Sequence, residues 1–227
     1  MKKIISIVLA AVLIFALAAC SANSGKDTGK SSTEAVSLTT DAPADSTSAD
    51  SDTSSSGSKS LVVYFSRTGE QYKVGVIEKG NTAIIADMVA ELTGADSFEI
   101  KPKEDNYPTT YKELTDVAKQ EQNDNARPEI ASTVENIGSY DTIYLGYPIW
   151  WGDLPMICYT FLESYDFSGK TIVPFCTHEG SGDAGTQSKI QSAVSDATVK
   201  EVLAITGYDA QNDQVNVRTQ VEEWLNG

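Results

Sequence analysis

Leu61-Val62-Val63-Tyr64-Phe65 runs directly into Ser66-Arg67-Thr68-Gly69. The first five residues are apolar and mostly β-branched or aromatic, which predicts a short strand buried on both faces. The next four are turn-formers. Downstream, apolar runs alternate with segments of helical spacing. Strands are predicted at Ser97–Ile100, Asp141–Tyr147, Lys170–Cys176 and Thr198–Ala204. Between them, helices are predicted at Asn81–Leu92, Tyr107–Glu121, Leu154–Ser164 and Ala184–Ser195, with a closing helix at Asp213–Leu225. Asn81 is the expected N-cap of the first helix and Gly94 its stop. Five buried strands alternating with helices predict an α/β fold, a three-layer doubly wound parallel sheet. In such sheets ligands bind beyond the carboxyl ends of the strands, so the informative residues follow Phe65, Tyr147 and Cys176.

The chain has 227 residues, of which 17 are basic and 32 acidic, a formal net charge of −15. Such an acidic chain repels nucleic acid and anionic membrane surfaces. Three cysteines and one histidine cannot build a zinc cluster or a disulfide framework. The N-terminus differs from the rest. Met1-Lys2-Lys3 precedes an apolar run from Ile4 to Ala19 that is shorter than the ~20 residues of a spanning helix. A positive start, an apolar middle and a small-residue end form the pattern of a secretory signal over residues 1–19. Leu17-Ala18-Ala19-Cys20 resembles the lipobox of bacterial lipoproteins. That resemblance implies cleavage before Cys20, lipidation of its sulfur, and a protein held on the extracytoplasmic face of a membrane. Residues 20–60 follow as a tether. Ser21–Ser60 carries 13 Ser and 6 Thr and no aromatic residue, too little apolar surface to offset the entropy of ordering. Residues 61–227 then form one domain with 12 basic and 26 acidic residues.

Three loops at the predicted strand ends carry the chemistry. Ser66-Arg67-Thr68-Gly69, together with Gly80-Asn81-Thr82 at a helix start, gathers hydroxyls, an amide and outward-pointing N–H groups suited to an anion. Gly146-Tyr147-Pro148-Ile149-Trp150-Trp151-Gly152 puts two adjacent indoles beyond a buried strand. Both can hardly turn inward, and an outward indole is a plate for a planar ring. Thr177-His178-Glu179-Gly180-Ser181-Gly182 is a loop whose backbone can approach a ligand closely. Together the three suit a phosphorylated planar heterocycle.

These stretches, with Ala126-Arg127-Pro128, resemble the flavodoxin-like family, in particular its FMN-binding flavodoxin/quinone-reductase-like bacterial branch. The resemblance spans essentially all of residues 61–227. It implies strand order 2-1-3-4-5 and a non-covalent FMN. Ser66, Thr68, Asn81 and Thr82 match the family's phosphate loop, with Arg67 and Gly69 inside it. Pro148, Ile149, Trp150, Trp151 and Gly152 match one loop around the flavin ring, and Thr177, His178, Glu179, Gly180, Ser181 and Gly182 match the other. The family's phosphate loop is compact, whereas here Glu70–Gly80 separates Gly69 from Asn81. The expected solution is a hairpin gripped by Tyr72, Val74, Val76 and Ile77. Arg67 and Lys79 either border the phosphate or are plain surface charges. His178 is either a proton donor to the reduced ring or a loop histidine in a structural hydrogen bond.

The implied function is electron transfer by a membrane-tethered flavoprotein, with a redox protein or a quinone as partner. The enzyme question divides into carrier and FMN-dependent oxidoreductase. A second class is a lipoprotein of the same fold that has lost FMN and binds another ligand or a partner. A serine hydrolase is disfavoured, because Ser181 lies outside any Gly-x-Ser-x-Gly elbow. Gly169-Lys170-Thr171 lacks the upstream glycine of a P-loop and reads as a turn.

Overall fold

A computed structural model describes residues 58–227. The predicted signal, Cys20 and most of the tether lie outside the described residues. Six strands form one parallel sheet. β1 (Ser60–Tyr64) is flanked by β4 (Asp96–Glu99) and β5 (Thr142–Pro148), with β6 (Thr171–His178) beyond β5, which is the central strand. The outer edge is shared by two short strands, β7 (Thr198–Val199) and β8 (Leu203–Thr206), each parallel to β6. The order β4-β1-β5-β6-β7 is the 2-1-3-4-5 winding that the resemblance implied.

The central strands read apolar because both faces are covered. Leu61, Val62 and Val63 are all buried, as are Ile143, Leu145, Tyr147, Ile172, Phe175 and Cys176. Alternation sends them to opposite cores. Val62 and Phe175 pack under α1 (Asn81–Thr93) and α6 (Gln214–Asn226). Leu61, Val63, Leu145 and Ile172 pack under α3 (Met156–Glu163) with Ile157, Phe161 and Leu162. Cys158 and Cys176 are buried free thiols, and burial pushes the Cys176 thiol up to about 12.

Several expectations are corrected. The predicted edge strand Thr198–Ala204 is two strands, because Lys200-Glu201-Val202 leaves the ladder between the pairings of Ile172 with Val199 and Phe175 with Leu203. The helix expected from Tyr107 is α2 (Tyr111–Asn123). Pro108 disfavours a helical Tyr107, whose ring instead packs in the core, and Thr110 becomes the N-cap. Asn81 is the first helical residue rather than the N-cap, which is Gly80. Gly94, left-handed at φ 68°, ends α1 as expected. The closing helix is preceded by α5 (Gly207–Asn212), and the Asp213 side chain between them accepts the N–H of Asn216.

The insertion folds as a hairpin of β2 (Gly69–Gln71) and β3 (Gly75–Ile77). Its grip differs from the expected one. Ile77 is buried, but Val76 is 82% exposed, and Tyr72 stacks on Tyr111 of α2. The Glu70 N–H donates to Thr109 O at 2.8 Å, and the Glu70 carboxylate accepts the Tyr111 N–H at 2.9 Å. The hairpin is therefore tied to the start of α2, and Ser66 still reaches the Ala83 N–H at 3.1 Å.

Candidate functional site

The carboxyl ends of β1, β5 and β6 converge on a cleft of about 400 Å³, a size common for small-molecule sites. Ser66 and Arg67 from the first loop line it, with Asn81 and Thr82 at the start of α1. Pro148, Ile149, Trp150 and Trp151 line it from the second loop, and Thr177, His178 and Glu179 from the third. Thr68, Gly69, Gly152, Gly180, Ser181 and Gly182, also expected at the site, are not among the lining residues. Sequence reasoning missed a fourth wall: Gln71 and Tyr72 from the hairpin, with Tyr111, Leu114, Thr115 and Ala118 from α2. The spacing 111, 114, 118 marks one face of a helix, but nothing local says that this face meets the cleft.

One end of the cleft is built on α1. A helix start leaves its first N–H groups without intrahelical partners. Here Ser66 Oγ accepts one of them, from Ala83 at 3.1 Å, while Asn81 and Thr82 precede it at the first two positions. The loop crosses the helix start very closely. A Cβ on Gly80 would collide with Ser66 Oγ and stand 2.6 Å from the Arg67 carbonyl oxygen. Asn81 is buried, and its side-chain oxygen accepts from Gln211 of α5, which also reaches the Lys79 carbonyl, each at 2.8 Å. The Thr82 and Thr177 hydroxyls share a buried hydrogen bond of 2.8 Å, so the first and third loops are held in fixed relation.

Both candidate cations are paired with carboxylates. Lys79 pairs with Asp87 on the exposed face of α1. Arg67 is mostly buried, donates to both Asp105 oxygens at 2.8 Å and to Tyr107 O at 3.2 Å, and lies 5.2 Å from the Tyr107 ring centre. Its Nε has no partner. The chemistry this end of the cleft offers an anion is that of backbone N–H groups and the helix dipole rather than of a lysine.

The two tryptophans divide the work. Trp150 turns inward, edge-on to Phe65 at 5.4 Å and to Tyr107 at 5.6 Å. Trp151 is 55% exposed in a left-handed conformation (φ 52°), with its indole N–H donating to Thr115 O at 2.8 Å. The indole plate is thereby fixed to α2.

His178 Nδ1 accepts the N–H groups of Gly180 at 3.0 Å and Gly182 at 3.3 Å. Nδ1 therefore carries no proton, and the neutral ring holds its hydrogen on Nε2. Burial lowers its pKa, opposed in part by Asp183 and Asp209. This arrangement matches the structural hydrogen bond and works against an imidazolium acid at neutral pH. A sign follows. The unfolded chain protonates first, near the ordinary value of about 6.5, so acidification below that value destabilises the fold until the lower folded value is passed. His178 is the single histidine. Denaturant midpoints measured between about pH 7 and 5 should fall more steeply for the native chain than for His178→Phe. Parallel curves would remove histidine from the account. Glu179 uses its carboxylate on the Tyr208 N–H at 2.9 Å, at the start of α5, and burial raises its pKa.

The arrangement fits a ligand with an anionic end over the start of α1 and a flat ring between the aromatic and third-loop walls. The family model for Flavodoxin matches residues 59–226. A Bacteroides eggerthii protein assigned as a flavoprotein has a crystal structure matching at 32% identity and TM-score 0.60, over 75% of this chain and 97% of that one. A Bacteroides uniformis protein of the same assignment matches at 31% identity and TM-score 0.61, over 75% and 99%. A Lactobacillus acidophilus flavoprotein crystallised in complex with FMN matches in fold at 22% identity and TM-score 0.54, over 70% and 98%. Among curated proteins none matches.

Proposed function

This chain belongs to the flavodoxin family, and from that premise we propose that it binds FMN in the cleft and transfers electrons while tethered outside the cytoplasm by a lipid on Cys20. The carrying observation is the close crossing at Gly80. That crossing leaves no room for a side chain and brings the Ser66 loop against the N–H groups opening α1, where an anion is favoured. The bound isoalloxazine ring supplies reversible one- and two-electron chemistry, and the protein supplies binding, orientation and electrostatics. Asn81, Thr82 and Ser66 hold the phosphate end. Trp150 and Trp151 bound the ring on one side, and the backbone from Thr177 to Glu179 meets its edge. The neutral His178 offers a hydrogen bond from Nε2. An acidic domain disfavours added negative charge on the ring and so lowers its potential.

The tether reading rests on residues 1–60. Their sequence carries a signal pattern ending at Cys20, and then a Ser/Thr-rich segment with a reach of roughly 35 Å as a random coil. Nicotinamide donors are scarce outside the cytoplasm, so a redox protein or a quinol pool is the expected partner. The test of the redox role is a reductive titration of the full chain loaded with FMN. Reversible bleaching and recovery of the flavin spectrum, with a potential below that of free FMN, is expected. A bound flavin that cannot be reduced at potentials accessible to biological donors would overturn the electron-transfer role. Mass spectrometry of the membrane fraction tests the anchor, and an unmodified Cys20 would refute it.

A further inference from the structure

The short helix α5 is tied to the cleft at both of its ends. At its start the Tyr208 N–H donates to Glu179 of the third loop. Near its end Gln211 reaches the start of α1, 130 residues away in sequence. Gln211 Nε2 stands 2.8 Å from the Lys79 carbonyl oxygen and 2.8 Å from the Asn81 side-chain oxygen.

These two contacts fix the orientation of two side-chain amides. A primary amide has a donor end and an acceptor end of nearly the same shape, and only its partners decide which way round it sits. A backbone carbonyl can only accept, so the end of Gln211 that meets Lys79 is its NH2. The same NH2 meets Asn81, so the end of Asn81 that faces α5 is its oxygen. Asn81 Nδ2 is thereby turned away from Gln211. It lies against Gly207, where a Cβ would collide with it and stand 2.8 Å from Glu179 Oε1. Among the described residues no group accepts from Nδ2, and Asn81 lines the cleft. An anion over the start of α1 thus meets an N–H donor at Asn81. The reverse orientation would set a carbonyl oxygen beside the helix N–H groups and oppose the negative charge that they favour. Asn81 is buried, so water would screen such an oxygen poorly.

We propose that Gln211 is a positioning residue for the phosphate of the cofactor: it holds the Asn81 amide with its oxygen on α5 and its N–H2 available to the anion. This role rests on the FMN reading for the identity of the ligand, and on this chain's own residues for the geometry.

The test is a fluorescence titration of the full chain with FMN and with riboflavin, which carries the same ring and lacks the phosphate. Gln211→Met keeps the length of the side chain and removes its donor. It should weaken FMN about 5-fold or more, part of the worth of a hydrogen bond to a charged group, and leave riboflavin within about 2-fold. Unchanged riboflavin binding also shows that the variant is folded. Asn81→Ala should weaken FMN at least as much, and Gln211→Met added to it should cost nothing more, because the side chain through which Gln211 acts is gone. Where riboflavin binds too weakly to titrate, this non-additivity on FMN decides alone. FMN affinity indifferent to Gln211→Met overturns the role. So does a loss shared equally by riboflavin, which marks a merely structural contact. A full further loss from Gln211→Met in the Asn81→Ala background overturns it as well, and assigns the effect to the Lys79 carbonyl. A native chain that binds neither flavin defeats the cofactor reading by itself. Inorganic phosphate, followed by 31P line broadening, then reads the anion site: weaker phosphate binding in Gln211→Met keeps the positioning role, and no phosphate binding, or binding indifferent to the substitution, overturns it.

Discussion

Gly80→Ala should lower FMN affinity by about 100-fold or more. The new methyl meets Ser66 Oγ on one side and the Arg67 carbonyl on the other, and the second contact is backbone that cannot rotate away. The loop must lift from the helix start. Ser66 then loses the Ala83 N–H, and a phosphate cannot be held at once by the loop and by the N–H groups of Asn81 and Thr82. Two charge-assisted hydrogen bonds at about 1.5–3 kcal/mol each account for a loss of this size. Because Gly80 has φ −65°, alanine brings no backbone strain of its own, and the effect isolates the steric crossing. Ser66→Ala is the milder companion. It removes only the hydroxyl and should cost about 1 kcal/mol of stability. Isothermal titration with FMN measures the first, and denaturant unfolding measures the second. A Gly80→Ala protein that binds FMN as tightly as the native chain would show that the phosphate lies elsewhere.

Trp150→Ala and Trp151→Ala should separate, although the two residues are adjacent. Trp150 fills the space between Phe65 and Tyr107 at the top of the α3-side core. Its removal leaves a cavity beneath the cleft and should destabilise the fold by about 2–4 kcal/mol, with FMN affinity falling as the floor collapses. Trp151 stands out from the surface, its indole held by one hydrogen bond to Thr115 and by Lys119 over the ring. Its removal should leave stability within about 1 kcal/mol while weakening FMN by the worth of a stacking face. Thermal denaturation and FMN titration on both variants decide the matter. Equal destabilisation by the two, or no change in FMN affinity with both removed, would contradict the division of roles.

The winding of the sheet was legible because parallel strands buried on both faces leave uninterrupted apolar runs, and Leu61–Phe65, Ile143–Tyr147 and Ile172–Cys176 are such runs. The split edge was not legible. Lys200 and Glu201 interrupt the pattern by only two residues, and whether a strand bridges or breaks there depends on pairing with β6, which is non-local. The three strand-end loops were legible because topology alone sends them to one place. The hairpin's existence could be read from its length and turn residues, but not its seat. Tyr72 finds Tyr111 across the domain, and Val76, as apolar as Ile77, faces outward. Arg67 reads either as a border of the phosphate or as a surface charge, and its pairing with Asp105, 38 residues on, is non-local. The His178 alternatives differ only in which nitrogen meets the backbone, a fact that needs the loop's fold.

The most direct measurement is the stoichiometry and affinity of FMN for the full chain, followed by quenching of flavin fluorescence and the shift of its absorption bands. Saturation at one FMN per chain with a sub-micromolar Kd is expected, with loss of that binding in Gly80→Ala. A folded protein that leaves flavin fluorescence unchanged would contradict it and turn the cleft into the site of a different ligand.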